Sequence, residues 1–395
     1  MKDKKFLIVS CVFPPEPVVS GRVAYDLAAY LAKANAVTVL TPKPTRPEGF
    51  RFDKNLIHQE CQFKHIVVNS YTSPKSKILT RVYESYSFGK RVVRYIKKKR
   101  GNIDVVYLNT WPLSSQYLIV KACKKLNIET VVHVQDIYPE TVTNKLAFLK
   151  TLFNYLLLPI DKYILKNARS VVTISPGMKK YLVATRYLEE KNLEVVYNWQ
   201  KPIRVKEAVK IDGVFKFVYL GSLSPTAQIG SIIEGFGALN NHRTKLVIAG
   251  SGPEEEKLKR IAANYPNSDI TFTTAPSDKV AKIQGSADVL VLSLQQGDGK
   301  FALPSKLVSY MNSRKPILAI VQSDCDIERI IVDADCGWVA KQNDMKDIKN
   351  KMSELIKIDS KLLLGAGERA GEYAIKNMSR EVNLEKLSKI ITDDL

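Results

Sequence analysis

Short apolar runs alternate with helical patterns along the whole chain. The runs are rich in Val, Ile and aromatic residues, which is typical of strands buried on both faces of a parallel sheet. Between them, apolar residues recur at helical spacing, as expected if a helix connects each strand to the next parallel one. The predicted strands cover residues 5–11, 36–41, 104–108, 129–134, 170–174, 215–220, 245–249, 269–273, 288–293, 316–321 and 337–340.

The pattern lapses around residues 197–212, where Asn198-Trp199-Gln200-Lys201-Pro202 and a charged stretch interrupt the alternation. Such a lapse is typical of an interdomain linker. A chain of 395 residues, of which 45% are hydrophobic, can bury two ordinary cores. The sequence therefore predicts an α/β protein with two Rossmann-like domains, residues 1–200 and 201–376, whose parallel sheets face a central cleft.

One long helical pattern, residues 144–166, has a broader apolar face than a single domain contact requires, and Pro159 interrupts it. We interpret it as a core helix. An acceptor groove or a segment that dips into a membrane are the alternatives. Residues 361–376 and 379–391 predict two further helices at the end of the chain.

The net charge of +20 is concentrated in the first half. Residues 1–200 hold 32 Lys and Arg against 15 Asp and Glu, a balance of +17. Ten basic side chains and four aromatic ones lie between residues 75 and 100, with Glu84 as the sole acid there. This pattern suits an anionic lipid surface, although a solvated helix face with its aromatic residues in the core explains it equally well.

Cysteine spacing and hydropathy indicate where in the cell the protein is located. The five cysteines form no CxxC pair, so neither a disulfide framework nor a zinc site is expected. The apolar run 6–13 imitates a signal peptide, but Pro14, Pro15 and Pro17 follow without a cleavage site, which favours a buried first strand. No run reaches the roughly 20 apolar residues that span a bilayer. We therefore expect a cytoplasmic protein, peripheral on the inner face of the cell membrane.

Ligands of open parallel sheets bind beyond the carboxyl ends of the strands. In the second half this rule selects Gly221-Ser222, Gly250-Ser251-Gly252, Ala275 and the segment 295–306. In the first half Gly21 opens a predicted helix, where a glycine lets a ligand approach the backbone closely.

The segment 295–306 has the most features of a phosphate site. The flexible stretch 297–300 precedes Pro304, which we expect early in a helix that runs to about Asn312. The free N–H groups of the first helical turn, the Ser305 hydroxyl and the Lys306 ammonium would then all be available to a diphosphate. The alternative is an ordinary Pro-started helix with a surface lysine.

Few other side chains suggest chemistry. Asp136 follows the strand 129–134 and is a candidate base or charge partner, with a helix cap or turn as the alternative. His133 is in phase with core positions of that strand and is expected to be structural. We interpret the Asp-X-Asp stretches 324–326 and 333–335 as caps and surface acids, so no metal site is expected. The chain has neither GxGxxG after the first strand nor a Walker A pattern.

Several short motifs are spread over nearly the whole chain. They are Ser20-Gly21, Asp136-Ile137-Tyr138-Pro139-Glu140, Asn198-Trp199, Gly221-Ser222-Leu223, Gly250-Ser251-Gly252-Pro253, Pro304-Ser305-Lys306-Leu307, Tyr310-Met311 and Lys315-Pro316-Ile317. As a set, these motifs resemble the retaining glycosyltransferases of family 4, which have the two-Rossmann GT-B fold. Ala227-Gln228 and the Pro-Ser-Lys-Leu form make the chain similar to bacterial enzymes of capsule, O-antigen and colanic-acid assembly, including N-acetyl-L-fucosamine transferases.

The resemblance implies a nucleotide-sugar site with Asp136 and Lys306 as catalytic residues. It also implies that a C-terminal helix, residues 377–395, returns to the first, acceptor-binding domain. The implied binding residues are Ser20, Gly21, Gly221, Ser222, Gly250, Gly252, Ala275, Lys300, Leu303, Pro304, Ser305, Leu307 and Ser309.

The chain departs from the family pattern at the donor site. Phe301 and Ser309 stand where the family has two glutamates that contact the donor sugar and the ribose. The usual diphosphate-binding Arg and Lys align with Ser222 and Ala227, so the phosphate charge falls on Lys306, with Lys300 as a second cation. In addition, Gln135 replaces a histidine that often precedes the Asp136 position.

The resemblance implies a metal-free reaction in which a nucleoside diphosphate leaves the anomeric carbon while an acceptor hydroxyl attacks from the same face. A helix N-terminus and Lys306 would stabilise the leaving charge. The expected donor is a UDP-sugar, with N-acetylated amino and deoxy sugars among the candidates. The expected acceptor is a lipid-diphosphate-linked saccharide of bacterial surface polysaccharide synthesis, met at an anionic membrane surface.

Two other functions remain open from the sequence alone. A nucleotide-sugar epimerase of the same architecture would need acid and base carboxylates around the sugar, and the basic first half argues against it. A nucleic-acid-binding protein would explain the charge, but the chain has no RRM, KH or zinc signature, so nucleic acid is not an expected partner. A labelled nucleotide-sugar panel with membrane extract separates the three.

Overall fold

A computed structural model describes residues 4–45, 62–74, 78–110, 113–143, 150–200, 213–276, 278–295 and 303–393. The chain divides into two compact units. Unit 1 comprises Met1–Asn198 together with Glu381–Leu395, and unit 2 comprises Trp199–Arg380. Most of the predicted linker, residues 201–212, lies outside the described residues.

Unit 1 contains a parallel sheet of seven strands in the order β3-β2-β1-β4-β5-β6-β7. Two of these strands were not predicted, because β3 has only two apolar residues and none that is buried, and β7 has three residues. The strands are β1 (Lys5–Ser10), β2 (Ala36–Thr41), β3 (Lys64–Val67), β4 (Val105–Asn109), β5 (Glu129–Val134), β6 (Ser170–Thr173) and β7 (Leu193–Val195).

Helices cover the unit 1 sheet, and α2, α3 and α5 pack side by side. Pro159 does not interrupt α5, contrary to prediction: Pro159 and Tyr155 are both exposed, so water can solvate the carbonyl that loses its donor. Among the described residues no helix is both long and apolar enough to cross a bilayer. The helices are α1 (Val19–Leu31), α2 (Ile78–Lys99), α3 (Ser114–Lys125), α4 (Glu140–Thr143), α5 (Lys150–Lys166) and α6 (Pro176–Arg186).

The last helix of the chain, α14 (Arg380–Thr392), packs within unit 1. The Tyr197 N–H donates to Asn383 Oδ1 at 2.9 Å. Arg169 Nη2 donates to the carbonyls of Ile390 and Ile391 at 2.8 and 3.0 Å. The two Arg169 bonds satisfy carbonyl groups that the end of the helix leaves without partners.

Unit 2 contains a parallel sheet of six strands in the order β10-β9-β8-β11-β12-β13. The predicted strands of this half agree with the observed ones to within one residue at each end. The strands are β8 (Phe215–Leu220), β9 (Thr244–Ala249), β10 (Asp269–Thr273), β11 (Val289–Ser293), β12 (Ile317–Val321) and β13 (Gly337–Lys341). The helices are α7 (Ile229–Gly237), α8 (Glu255–Ala262), α9 (Val280–Gly285), α10 (Ser305–Asn312), α11 (Asp326–Asp333), α12 (Met345–Lys357) and α13 (Ser360–Met378).

Each sheet has one point where the strand order reverses, between β1 and β4 in unit 1 and between β8 and β11 in unit 2. Loops on either side of such a point diverge and leave a crevice beyond the carboxyl ends of the strands, where ligands of open α/β sheets bind.

Candidate functional site

Two glycines shape the crevice at the β8–β11 reversal point. Gly221 follows β8 and Gly250 follows β9, with φ of 146° and 155°, values that L side chains rarely adopt. The Gly221 N–H donates to Ala249 O at 2.8 Å, which holds the two turns together. A Cβ on Gly250 would overlap the Gly221 carbonyl oxygen. Only glycine at position 250 therefore permits this close approach.

Lys306, on the first turn of α10, extends across Gly221. A Cβ on Gly221 would overlap the Lys306 side chain, so glycine at 221 makes room for the lysine. The Lys306 ammonium donates to the Tyr219 hydroxyl and lies 4.2 Å from the centre of the Tyr219 ring. The Tyr219 hydroxyl donates in turn to Ser222 O at 2.8 Å. We call Tyr219, Gly221 and Lys306 the lysine cradle.

The Lys306 ammonium has an aromatic neighbour but no anionic one in the described part of the chain, where no carboxylate lies within 4 Å of it. Burial lowers the pKa of Lys306 to about 8, because an ammonium loses hydration there without gaining a counter-charge. An anionic ligand at this point would supply the missing charge.

The start of α10 adds backbone donors beside the cradle. Pro304 is not an early helical residue as predicted: its ψ of 138° is extended, and α10 begins at Ser305. The Leu307 N–H donates to Pro304 O at 3.0 Å. For the N–H groups of Ser305 and Lys306, no partner occurs among the described residues. These two donors and the lysine therefore lie together at one helix N-terminus, which favours an anion.

The other predicted donor-site residues of unit 2 have different surroundings. Ser222 is exposed beside it, and Gly252 packs against the Leu223 carbonyl. Leu303 and Leu307 are buried, so their side chains contribute packing. Lys300 lies outside the described residues.

Ser309 and Ala275 have separate surroundings. The buried Gln284 amide donates to Ser309 Oγ at 2.9 Å. Ala275 lies in the loop after the edge strand β10. The last residue of that strand is joined to the site, because the Gly250 N–H donates to Thr273 O at 2.8 Å.

The corresponding crevice of unit 1 holds Ser20 and Gly21. Asn109, at the end of β4, donates through Nδ2 to Ser20 O at 2.7 Å. Gly21 is the third residue of α1, two residues inside the helix that it was expected to open, and a Cβ there would lie 3.1 Å from Val12 O. The glycine thus lets α1 approach the loop that follows β1.

Asp136 is exposed directly after β5, at the same carboxyl edge of unit 1. The segment that carries it is held at its far end by Arg186, whose guanidinium is buried. Arg186 donates to Tyr138 O at 2.8 Å and to both Glu140 carboxylate oxygens at 2.8 and 2.7 Å. Burial disfavours the Glu140 carboxylate, but the charge and hydrogen bonds of Arg186 outweigh this effect and lower the pKa of Glu140. At its near end, Gln135 Oε1 accepts from Asn198 Nδ2 at 2.7 Å.

His133 is a structural residue, as expected. Its Nδ1 forms a hydrogen bond with the Tyr107 hydroxyl at 2.6 Å, and burial lowers the pKa of the imidazole to about 3. His133 is therefore neutral at physiological pH and cannot act as a cation there.

The acidic stretches form no metal cluster within the described residues. Asp326 is buried rather than a surface acid, contrary to prediction, and it pairs with Arg329 at 3.3 Å. The cap of α11 is Cys325, whose sulfur accepts from the Glu328 N–H.

Tyr219 and Arg186 were not predicted from the sequence as site residues. Tyr219 lies near the carboxyl end of a predicted strand. A tyrosine at such a position carries a polar hydroxyl group, which could have marked it as a site residue. Arg186 pairs with Glu140 and Asp161, 46 and 25 residues away. No local pattern in the sequence marks such pairing.

Comparison with known proteins agrees with this architecture. Residues 20–199 match the family model described as Glycosyltransferase Family 4, and residues 200–377 match Glycosyl transferases group 1. The probable glycosyltransferase WbjE of Pseudomonas aeruginosa is 23% identical over 85% of this chain and 84% of its own. The amylovoran biosynthesis glycosyltransferase AmsD of Erwinia amylovora is 23% identical over 73% and 75%, respectively.

Among solved structures, HepE of Anabaena in complex with UDP superposes with a TM-score of 0.71 over 98% of both chains, at 13% identity. At this level of identity the likeness establishes the fold, which is GT-B.

Proposed function

This chain belongs to the glycosyltransferases with the GT-B fold, and we propose that it transfers a sugar from a nucleoside diphosphate donor bound in unit 2, with retention of anomeric configuration. The proposed donor is a UDP-sugar, in line with the UDP complex of HepE. The proposed acceptor is a lipid-diphosphate-linked saccharide of surface polysaccharide synthesis, in line with the assignment of AmsD to amylovoran biosynthesis.

The lysine cradle carries this proposal. A diphosphate at the N-terminus of α10 would accept hydrogen bonds from Lys306 Nζ and from the N–H groups of Ser305 and Lys306. The half-buried ammonium, which has no carboxylate partner in the described chain, would gain its counter-charge at the same time. Charge-assisted bonds of this kind are shorter and stronger than neutral ones.

The chemistry requires stabilisation of the leaving group. When the bond between the anomeric carbon and the diphosphate oxygen breaks, negative charge accumulates on that oxygen, beside the cation and the helix N-terminus. The acceptor oxygen forms the new bond from the same face, and its proton passes to the departing phosphate oxygen. We assign no metal ion to this reaction, because Lys306 and the helix N-terminus can supply the positive charge.

The acceptor is assigned to unit 1, with Asp136 as a charge partner for its hydroxyl group. The net charge of +17 in residues 1–200 suits an acceptor that carries phosphate and is held at an anionic membrane. The protein would then work peripherally on the inner face of the cell membrane. An N-acetylated amino or deoxy sugar, as in the N-acetyl-L-fucosamine transferases, is the proposed donor sugar class.

The proposal is tested with a panel of labelled nucleotide sugars and membrane extract, followed by NMR of the product to establish its anomeric configuration. Transfer with retention is expected, at full rate in the presence of EDTA. Inversion would contradict the proposed stereochemistry, and a loss of activity that only Mg²⁺ or Mn²⁺ restores would contradict the metal-free reaction. Epimerisation of the donor without transfer would overturn the function itself.

Lys306→Ala tests the donor site directly. UDP affinity should fall by about 1.5 to 3 kcal/mol, the range for a hydrogen bond to a charged group. Calorimetry with UDP measures this, and Lys357→Ala, which removes an exposed lysine from the end of α12, is the control. An unchanged dissociation constant for Lys306→Ala would exclude the cradle as the phosphate site.

A further inference from the structure

Two helices of unit 1 expose apolar side chains near their N-terminal ends. On α2 these are Leu79, Val82, Tyr83 and Tyr86, which share one face because they are three or four residues apart. On α5 the exposed side chains Leu152, Tyr155 and Leu156 repeat the pattern. Leu79 is 83% exposed and Tyr155 78%, so neither side chain contributes to the core. We call these seven side chains the apolar rim.

The topology places both parts of the rim at the carboxyl edge of the unit 1 sheet. Helix α2 ends shortly before β4 begins, and α5 ends shortly before β6 begins, so each runs from the carboxyl edge back to the amino edge. With 22 and 17 residues, they span about 33 and 25 Å, more than the strands they cover. Both pack against α3. The rim therefore flanks α3 at the edge where Asp136 follows β5.

The remainder of the exposed stripe of α2 is basic. Beyond Tyr86 it continues with Lys90, Arg94, Lys97 and Lys98, all exposed. Glu84, the sole acid of this helix, is buried and pairs with Arg81 at 2.7 Å. The outward face of α2 thus carries positive charge and no negative charge, which complements an anionic surface.

Aromatic side chains lie where the exposed stripe of α2 changes from apolar to basic residues. Lys90 Nζ lies 5.6 Å from the centre of the Tyr86 ring, and Tyr71 packs on Tyr83 with 5.0 Å between ring centres. Tyrosine favours the boundary between hydrocarbon and headgroups, because its ring is apolar and its hydroxyl remains hydrated. This arrangement fits a lipid surface better than a protein partner, because the centre of the stripe has no acid or amide group for a protein partner to bind.

We propose that the apolar rim inserts into the headgroup region of an anionic bilayer and holds the carboxyl edge of unit 1 against the lipid surface. The inference rests on the proposed function, since a lipid-linked acceptor presents its diphosphate and sugars at that surface. In this arrangement the rim inserts into the bilayer, whereas the cations at Lys97–Arg100 contribute only long-range attraction. Salt separates these contributions, because it screens charges over about 8 Å at physiological strength but leaves apolar burial in place.

The test compares binding to vesicles of phosphatidylcholine and phosphatidylglycerol at low and high salt. The rim variant is Leu79→Ser/Val82→Ser/Tyr155→Ser, and the control is Leu362→Ser/Leu364→Ser/Ile375→Ser, which replaces three exposed apolar side chains of α13 in unit 2. At high salt the wild type and the control should stay bound, while the rim variant binds about tenfold more weakly or less. Equal binding of rim variant and wild type would overturn the inference, as would complete release of the wild type by salt.

A depth measurement gives an independent readout. A tryptophan introduced as Leu152→Trp should shift its emission to the blue and be quenched by brominated lipid, whereas Leu362→Trp should do neither. A rim tryptophan that stays unquenched would contradict insertion. If the wild type is a dimer that the rim variant converts to a monomer, the rim is an interface between copies and the inference is wrong.

UDP calorimetry of the same variants separates this inference from the proposed function. All of them should bind UDP as the wild type does, because the rim lies in unit 1. Normal UDP binding without vesicle insertion overturns the rim alone. Absence of UDP binding and transfer in the wild type overturns the proposed function, whatever the vesicles show.

Discussion

At the scale of single residues, Lys306 and Tyr219 depend on each other. The tyrosine hydroxyl donates to a backbone carbonyl, so its lone pair is left to face the ammonium. The lysine in turn covers the face of the ring. Tyr219 is therefore a positioning residue in the proposed site, since it fixes where the cation lies before any ligand arrives.

Tyr219→Phe should weaken UDP binding by about 0.5 to 1.5 kcal/mol, the usual value of one hydrogen bond. The ring and its contact with the cation remain, so the loss should be smaller than for Lys306→Ala. Calorimetry measures the affinity, with Tyr265→Phe, on a half-buried tyrosine near Gly237, as control. An affinity loss as large as that of Lys306→Ala would show that the hydroxyl does more than position the lysine.

The pH dependence of donor binding follows from the pKa of Lys306, which burial lowers to about 8. Below about pH 7 the ammonium is already charged, so the contribution of Lys306 to UDP affinity should be constant there. Above pH 8 the free protein loses this proton, and binding must restore it because the diphosphate favours the charged form. Affinity should therefore fall as pH rises above 8.

Calorimetry at pH 8.5 in buffers of different ionisation enthalpy tests this directly. Uptake of a proton by the protein on UDP binding is expected, and Lys306→Ala should abolish it. Binding without proton exchange at pH 8.5 would contradict a depressed pKa for this lysine.

At the scale of elements, the two turns after β8 and β9 position the lysine. Gly250 packs on the Gly221 carbonyl, and Gly221 leaves room for Lys306, so a change at Gly250 reaches the cation through one intervening residue. Neither turn contains a charged group, yet both determine where the Lys306 ammonium lies.

Gly250→Ala should destabilise the protein by about 1 to 3 kcal/mol, the cost of a strained backbone conformation, and should weaken UDP binding as well. The added methyl group overlaps the Gly221 carbonyl, and a φ of 155° disfavours alanine. Denaturant unfolding and calorimetry measure the two effects. Gly101→Ala, where a Cβ meets nothing within 4 Å, is the control and should change neither.

The sequence predicts those elements whose hydrophobic pattern is strong. The apolar strands of unit 2 agree closely with prediction, whereas β3 and β7 escape it because they are short and carry polar side chains. For the candidate site, the predicted glycine turns and helix start lie together at the reversal point of the unit 2 sheet. The contact between Lys306 and Tyr219 spans 87 residues, and only the tertiary fold establishes it.

At the scale of the whole molecule, most of the positive charge and the proposed donor site belong to different units. Residues 1–200 carry most of the net charge, while the lysine cradle lies in unit 2. Charge changes in unit 1 should therefore affect the encounter with a membrane and leave nucleotide binding intact.

Replacement of Lys97, Lys98, Lys99 and Arg100 with Glu should lower binding to anionic vesicles several-fold at low salt and have a much smaller effect at high salt. Each cation near an anionic surface contributes about 1 kcal/mol, and salt screens that attraction. Co-sedimentation measures binding, and UDP affinity should equal that of the wild type. Equal co-sedimentation of both proteins at low salt would assign these residues to a solvated face.

The return of α14 to unit 1 has a genetic consequence. Unit 2 is one uninterrupted stretch of sequence, Trp199–Arg380, whereas unit 1 is assembled from the residues before it and those after it. In the gene, unit 2 is thus one continuous segment, flanked by the two segments that encode unit 1. Under the proposed function, exchange of that segment between relatives would alter the choice of donor in a single recombination event with two crossovers, and the proposed acceptor surface of unit 1 would pass to the descendant unchanged.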